Sequence, residues 1–438
     1  MFKKRISYLA LVSVMLCVFI VVIVMTIMAG LLDDFKQKNH DFVGDCIVGT
    51  DSLVGFAYYE DFLGELQKQD FIEAASAVIN GYCLISMDSG ERNYGLQLMG
   101  IEPVSFSKVS GFANSLYYNK SKPQNAFNPE YDVNLPGFVI GIDLLLVRDS
   151  KGNYNHNSIH ISSLNINCIP LTAKGALEKA GTSVVNSKTF SFSDTFQSGI
   201  ARVDYGYIYL PFQEAQILCG MGGQDKRINA VHIKFKPKIS LDSGVEKVTK
   251  LWNEFVKSKS GLSKADLLDS VVVQSWKSNR RSYIAAMEKE YTLVLAVFIM
   301  LGITTIFVVF VVFYMLVSHK TKDIGILKSV GASDFDILKL FSMFASLIGL
   351  IGSAVGVFLG WQFLLHINQT ENWLYEKFGF QLWDRTIYAI GEIPNKLEPQ
   401  AAAVIILSAV AACLLGALIP GWLAARLKPA QSLQVNRL

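Results

Sequence analysis

Residues Ser318–Asp336 read SHKTKDIGILKSVGASDFD and join two apolar segments, Tyr291–Val317 and Leu340–Leu365. This connector is short, basic and amphipathic, and it leaves no room for a catalytic domain. We interpret it as a segment that receives force from a partner at the cytoplasmic face of a membrane, rather than one that performs chemistry.

The flanking apolar segments belong to a set that predicts the membrane topology. Each member contains no Asp, Glu, Lys or Arg and exceeds the roughly 20 residues that a helix needs to cross a bilayer. The four windows are Ile6–Leu32, Tyr291–Val317, Leu340–Leu365 and Ala401–Ala425. The chain is 51% hydrophobic over 438 residues, which indicates a mixture of membrane and water-exposed parts. We therefore predict four transmembrane helices.

Basic residues set the predicted orientation. They cluster before the first window, in the connector and after the last window, and positive charge favours the cytoplasmic side. A cleaved signal peptide is the alternative for the first window, but its apolar stretch is longer than such peptides carry, so an uncleaved anchor is favoured. The predicted cytoplasmic parts are residues 1–5, 318–339 and 426–438, and the predicted outward parts are residues 33–290 and the loop 366–400.

Residues 33–290 read as one large mixed α/β domain. Alternating stretches such as CIVGT and LVGFAYY predict strands, YYEDFLGELQKQ predicts a helix, and IEAASAVINGYCLISM predicts a further strand. Residues 137–204 are richer in strands and loops, so we predict a smaller β-rich lobe inserted into the core. The fold class is thus an α+β membrane protein with this domain between the first and second helices.

Catalytic patterns are absent from the sequence. There is no GxSxG, no phosphate-cradling GxxxxGK[ST] and no HExxH. We predict that the chain is not an enzyme and binds no metal or other cofactor directly. The outward cysteines, Cys46, Cys83, Cys168 and Cys219, are compatible either with disulfides or with small buried apolar side chains.

Glycines recur along one face of the third predicted helix at spacings of three and four residues. Small residues in that pattern let two membrane helices approach closely, which predicts a packing seam. The glycines are Gly349, Gly352, Gly356 and Gly360.

The connector and its surroundings resemble the FtsX/MacB-type permeases of ABC transporters. The shared pattern is a basic residue, an acidic residue, Ile-Gly-Ile-Leu-Lys and then Gly-Ala-Ser, after the second of four helices. It falls on Lys322, Asp323, Ile324, Gly325, Ile326, Leu327, Lys328, Gly331, Ala332 and Ser333. The resemblance implies an FtsX-like permease domain over residues 291–430 and a segment that couples to a separate ATPase, with ATP and Mg on that partner. In this interpretation Ile324 and Leu327 form an apolar knob for a groove of the ATPase.

Within that superfamily the chain is most similar to lipoprotein-releasing permease subunits of the LolC/LolE type. MGIEP at Met99–Pro103 is similar to an element of their outside domain. The similarity implies a LolD-like ATPase, a second permease subunit in a homo- or heterodimer, lipoprotein cargo and a periplasmic lipoprotein chaperone, in the inner membrane of a bacterium. Residues 172–182 fall where the relatives carry a chaperone-contacting hook. The hook candidates are Thr172, Gly175, Lys179 and Thr182.

Acyl chains of such cargo would need an apolar cavity, and the outward thirds of the first two helices supply its candidate lining. The candidates are Met25, Met28, Leu31, Val294 and Phe298. Two alternatives remain open at this point. One is a MacB-like permease that drives peptide or drug efflux, and the other is an FtsX-like regulator of cell-wall hydrolases.

Overall fold

The computed structural model describes residues 2–87, 92–147, 154–159, 161–177, 185–223, 226–379 and 392–427. These residues form two compact units. The first, called here the helical unit, contains the described residues up to Asp33 and from Ala286 onward. The second, the β-rich domain, contains the described residues from Asp34 to Ala285.

Helices make up most of the first unit and cover parts of the second. In chain order they are α1 (Phe2–Val43), α2 (Tyr59–Gln67), α3 (Pro103–Val109), α4 (Phe112–Ser115), α5 (Ile142–Leu145), α6 (Ala201–Gly206), α7 (Phe212–Leu218), α8 (Leu241–Lys259), α9 (Trp276–Asn279), α10 (Arg281–Ser329), α11 (Asp334–Leu365), α12 (Ile367–Phe378) and α13 (Pro399–Ala425).

Four of the helices in the described ranges, α1, α10, α11 and α13, are long and apolar enough to cross a membrane. Each contains one of the four charge-free windows, so the predicted number of long apolar helices is confirmed. Both α1 and α10 run well beyond their windows, because helical periodicity continues in the polar residues that flank them.

The β-rich domain is built on one nine-stranded sheet. Its strands are β1 (Cys46–Gly49), β2 (Ile72–Met87), β3 (Arg92–Ile101), β4 (Gly137–Gly141), β5 (Ser163–Cys168), β6 (Asn186–Phe196), β7 (Tyr207–Pro211), β8 (Ala230–Phe235) and β9 (Val272–Ser275). Most predicted strands are confirmed. LVGFAYY is wrong as a strand prediction, because Gly55 and Tyr58 adopt positive φ values of 73° and 61° that interrupt an extended chain.

Six of the strands close into a ring. The second half of β2 pairs with β3 on one side and with β5 on the other, and the ring continues through β7, β4 and β6. The remaining strands, β8, β1 and β9, extend the sheet from the first half of β2. The segment 137–204 therefore contributes β4, β5 and β6 to the same sheet as the core strands, and within the described residues it forms no separate sheet.

Alternate residues of the ring strands point into its interior and form one apolar core. Ile85, Leu98, Ile140 and Phe190 are examples, each no more than 1% exposed. Helices α2 and α8 extend this core over the rest of the sheet, with the rings of Phe62 and Trp252 only 4.7 Å apart. Burial on this scale is the main source of stability for a β-rich domain, since each large apolar side chain contributes about 1.5–3 kcal/mol.

The outward cysteines lie in this core as free thiols. Cys83 and Cys168 sit directly opposite each other on β2 and β5. Cys219 Sγ lies 2.9 Å from the position that a Cβ on Gly81 would take. Burial raises the pKa of the Cys46 thiol to about 12. The structure therefore agrees with the second alternative from the sequence, in which these cysteines are small buried apolar side chains.

Two buried titratable side chains give the domain opposite responses to pH. Burial lowers the pKa of His232 to about 4, while its Nδ1 donates to the Val43 carbonyl oxygen at 2.8 Å. Burial raises the pKa of Asp204 to about 6, although Ser198 and Gly199 donate hydrogen bonds to its carboxylate. Between pH 6.5 and 4 the unfolded state binds a proton on His232 that the folded state does not, so acid destabilises the domain through this residue. Between pH 3.8 and 6 the folded state holds a proton on Asp204 that the unfolded state releases, so acid stabilises it there.

We expect the substitutions Asp204→Asn and His232→Gln to separate these two contributions. In Asp204→Asn the destabilising effect of His232 is unopposed, so lowering the pH from 7 to 4.5 should destabilise this variant more than the wild type, by about 2 kcal/mol. In His232→Gln, lowering the pH over the same range should destabilise the domain less than it destabilises the wild type. Melting of the full chain in detergent, followed by intrinsic fluorescence at several pH values, measures both. Parallel pH profiles for the two variants would contradict the assignment.

Candidate coupling site

The sequence VGAS of the connector forms a tight turn between α10 and α11. The Ala332 N–H donates to the Leu327 carbonyl and the Gly331 N–H to the Lys328 carbonyl, both at 3.1 Å. This is the Schellman pattern, and it places Gly331 at a φ of 109°, in the region that favours glycine. Ser333 then caps α11 through a reciprocal pair of hydrogen bonds with Asp336. The need to end α10 and to begin α11 is thus enough to explain why glycine and serine occupy positions 331 and 333.

The remaining motif residues divide between a buried and an exposed face of α10. Ile324 is 3% exposed and Gly325 is also buried, whereas Ile326 and Leu327 are 54% and 46% exposed. The prediction that Ile324 and Leu327 form one apolar knob is therefore wrong, because the Ile324 side chain is packed inside the helical unit and has no surface to offer a partner.

Exposed apolar side chains cluster at this turn instead. Val330 is 84% exposed, and Phe335, in the first turn of α11, is 71% exposed. We call the set Ile326, Leu327, Val330 and Phe335 the coupling surface. Lys322 and Asp323 are exposed beside it, and Asp323 forms an ion pair with Lys320.

Lys328 has a different position from the other basic residues of the motif. Its side chain is 13% exposed and its ammonium lies 2.7 Å from Asp334 Oδ1, in the first turn of α11. The same Nζ donates to the carbonyl oxygens of Ala425 and Leu427, at 2.5 and 3.0 Å, where α13 ends. A cation at a helix C-terminus is favourable, because the last carbonyls have no partners within the helix. Lys328 therefore fastens the coupling segment to the ends of α11 and α13.

The glycines predicted as a seam contact two different helices. A Cβ on Gly352, Gly356 or Gly360 would lie 2.9–3.2 Å from side-chain carbons of α1, namely those of Val14, Val18 and Val22. These valines recur every four residues on the buried face of α1. Such close approach requires glycine, as small residues provide at membrane helix interfaces.

Gly349 faces α13 rather than α1. A Cβ there would lie 3.0 Å from the Val410 Cα and 3.2 Å from the Cys413 Sγ. On α13 itself, a Cβ on Gly416 would lie 2.7 Å from the Ile306 carbonyl oxygen of α10. Helix α11 thus packs between α1 and α13, and α13 also contacts α10. These contacts connect the coupling segment to every long helix of the unit.

The residues predicted to line a lipid cavity do not share one environment. Leu31 is 3% exposed, whereas Met25, Met28, Val294 and Phe298 are partly exposed. The hook candidates fall only partly within the described residues. Thr172 and Gly175 form a tight turn with exposed tip residues, held by the Thr172 N–H donating to the Ala176 carbonyl at 2.8 Å. Lys179 and Thr182 lie outside the described residues.

A buried arginine anchors this turn, and sequence reasoning did not identify it. Arg227 is 1% exposed and donates to the carbonyl oxygens of Leu171 and Gly220, at 2.8 and 2.7 Å. A third hydrogen bond, of 2.5 Å, reaches the Val54 carbonyl. A single arginine between apolar and turn residues carries no local sequence signal for such a role, because its acceptors come from distant loops.

The last turns of α1 and the residues that lead into α10 meet inside the β-rich domain. The Arg280 guanidinium carbon lies 4.5 Å from the centre of the Phe42 ring, and the His40 and Trp276 rings are 5.0 Å apart. His40 Nε2 also contacts Asp45 Oδ1 at 2.7 Å. The two chain segments that connect the domain to the membrane helices are therefore packed against each other within it.

Comparison with known families defines the class of protein. Residues 294–429 match the family described as FtsX-like permease C-terminal, and this range contains α11, α13, the connector and most of α10. This multi-pass membrane protein therefore carries an FtsX-like permease domain over residues 294–429, which confirms the resemblance carried by the connector. A permease domain of this kind is typically non-catalytic and implies an ABC ATPase as partner.

Among individual proteins, the chain is distantly similar to lipoprotein-releasing system transmembrane proteins. It is 25% identical to LolC of Xylella fastidiosa over 352 residues, covering 79% of this chain and 74% of that protein. It is 21% identical to LolC of Neisseria meningitidis serogroup B over 441 residues, covering 99% and 95%. LolE of Haemophilus influenzae is 24% identical over 53% of this chain and 52% of its own length.

A solved structure resembles the β-rich domain. The periplasmic region of MacB from Actinobacillus actinomycetemcomitans matches 55% of this chain and 94% of its own length, with 14% identity and a TM-score of 0.29.

Proposed function

We propose that this chain is the membrane subunit of an ATP-driven transporter that extracts lipoproteins from the bacterial inner membrane and delivers them to a periplasmic carrier. The observation that carries the proposal is its similarity to LolC along 99% of the chain. In this proposal a separate LolD-like ATPase holds ATP and Mg, and a second permease subunit, identical or related, completes the complex. The β-rich domain faces the periplasm.

The free energy needed to remove a lipoprotein's acyl chains from the bilayer is large enough to require ATP hydrolysis. Each buried methylene of an acyl chain contributes about 0.8 kcal/mol, so a chain with roughly 15 methylenes costs about 12 kcal/mol to expose to water. Protein surface must therefore receive the chain as it leaves the bilayer. Exposed apolar side chains surround the outer half of α10 and supply a surface on which acyl chains or a second subunit would pack. They include Leu293, Val297, Met300, Ile303 and Phe307, each at least 60% exposed.

The coupling surface supports the energy-receiving part of the proposal. Four exposed apolar side chains at a rigid turn are unfavourable in water unless a partner or the membrane covers them. Lys328 and the glycine contacts connect that turn to the long helices, so work done on it would be transmitted through the helical unit.

Depletion of the protein in its native cell tests the cargo. We expect lipoproteins that normally reach the outer membrane to accumulate in the inner membrane, measured by fractionation and immunoblotting, while non-lipidated outer-membrane proteins sort normally. Two outcomes would contradict the proposal. Normal lipoprotein sorting with increased drug or peptide sensitivity would indicate MacB-like efflux, and normal sorting with failed cell separation would indicate an FtsX-like regulator.

A further inference from the structure

A groove of about 540 Å³ crosses the face of the sheet in the β-rich domain, on the side away from the ring interior. Its floor is formed by side chains of β1, β2, β3, β8 and β9, and Phe42 and Arg280 stand at one wall. The last residues of α1 and α9 border the groove, and α3 and α4 pack beside it through Phe106 and Phe112. Nothing in the coupling mechanism uses the groove.

Arg280 is the unusual group in this wall. It is 8% exposed, and its Nε is buried with no hydrogen-bond partner. Its contacts are the faces of the Phe42 and Tyr283 rings, at 4.5 and 5.3 Å, and the phenol of Tyr207. No carboxylate of the described residues forms an ion pair with it. A buried cation without an anion is costly, so a negatively charged ligand would find a preformed partner here.

The rest of the lining indicates what carries the negative charge. Asn80, Gln97 and Gln274 line the groove with amides, and the carboxylate of Asp51 also lies in the lining. Gln97 donates to the Tyr82 hydroxyl and Gln274 accepts from Asn279, both at a long 3.4 Å, so each amide keeps further donors or acceptors for a polypeptide backbone. Tyr82 is 62% exposed on the floor and offers a flat apolar surface with a polar end. This combination suits an extended peptide better than a lipid head group, which needs several cations and no backbone-like partners.

We propose that this groove binds an extended peptide segment whose carboxylate pairs with Arg280. The site belongs to the β-rich domain alone. It does not depend on lipoproteins being the cargo, because any translocated or partner polypeptide with an acidic residue in an extended stretch fits the same chemistry.

The test measures binding of two labelled ten-residue peptides to the full chain in detergent by fluorescence anisotropy. The peptides are rich in Ser and Ala and differ only in carrying two glutamates or two glutamines. We expect the glutamate peptide to bind at least ten-fold more tightly. Replacing Tyr82 with Glu should abolish that preference, because it places a negative charge on the groove floor. Leu84→Glu is the matched control, since Leu84 is 53% exposed on the same face of β2 but does not line the groove.

A second pair of variants addresses the arginine itself. Arg280→Gln should equalise the affinities of the two peptides, and Arg202→Gln should leave them unchanged. Arg202 also lies over the Tyr283 ring, at 5.5 Å, but is exposed and outside the groove. If Arg280→Gln fails to fold, the Tyr82 and Leu84 pair still decides the question. Equal binding of both peptides to the wild type, or a preference that survives Tyr82→Glu, would overturn the proposal. Binding of a short-chain anionic lipid in place of the peptides would overturn it in favour of a head-group site.

Discussion

Replacing Leu327 with Asp should release the ATPase subunit from the purified complex while the permease still inserts and folds. Leu327 is 46% exposed at the centre of the coupling surface, so a charge there does not disturb the interior of the helical unit. It would instead face an apolar groove of the ATPase, where loss of one well-buried contact weakens binding by at least about 2 kcal/mol, or about 30-fold. Co-purification of the ATPase with a tagged permease measures the loss.

The neighbouring positions supply controls for this experiment. Leu327→Met keeps an apolar side chain and should retain the ATPase. Ile324→Asp should fail differently, because Ile324 is buried and a charge there would destabilise the permease itself. Full retention of the ATPase by a folded Leu327→Asp variant would show that the coupling surface lies on the membrane instead.

Replacing Gly356 with Leu should strongly destabilise the helical unit. A Cβ at this position would lie 2.7 Å from the Met15 carbonyl oxygen and 2.9 Å from the Val18 Cβ, and a leucine adds three further carbons. Helix α11 would have to move away from α1. Overpacking of this kind costs about 1–3 kcal/mol, and more where backbone is in the way. We expect a lower melting temperature in detergent and loss of ATP-driven transport.

Gly302→Leu is the matched control for the glycine seam. It places the same side chain on a long apolar helix, α10, at a position where no atom lies within 4 Å of a new Cβ. Its melting temperature should stay at or slightly above the wild-type value, because leucine favours helix more than glycine does. Equal destabilisation by both substitutions would show that the effect does not come from packing against α1.

Local patterns in the sequence predicted the long helices well. They could not predict contacts between residues that are far apart in the chain. Charge-free windows indicate membrane helices because burying a charge in lipid is so unfavourable. The spacing of Gly352, Gly356 and Gly360 likewise indicates one helix face. It does not indicate which helix lies opposite, and Gly349 faces α13 instead of α1.

The coupling segment illustrates the same limit. An amphipathic helix pattern identifies Ile324, Ile326 and Leu327 as apolar but does not say which of them faces inward. That depends on α13, whose terminal carbonyls bind Lys328 from about a hundred positions further along the chain. The closed ring of strands was beyond prediction for a similar reason, since β2 meets β5 only after some 80 intervening residues. No sequence pattern marks Arg280 as a binding residue, because the aromatic rings around it come together only in the folded domain.

The central claim is that the coupling surface contacts a separate ATPase, and site-specific photo-crosslinking in intact cells tests it most directly. A photo-reactive amino acid at Leu327 should produce a cross-link to an ABC ATPase, identified by mass spectrometry. The same group at Leu293, 68% exposed on α10 and about 50 Å away along that helix, should not. Cross-links from Leu327 only to lipid, or ATPase cross-links from both positions alike, would contradict the claim.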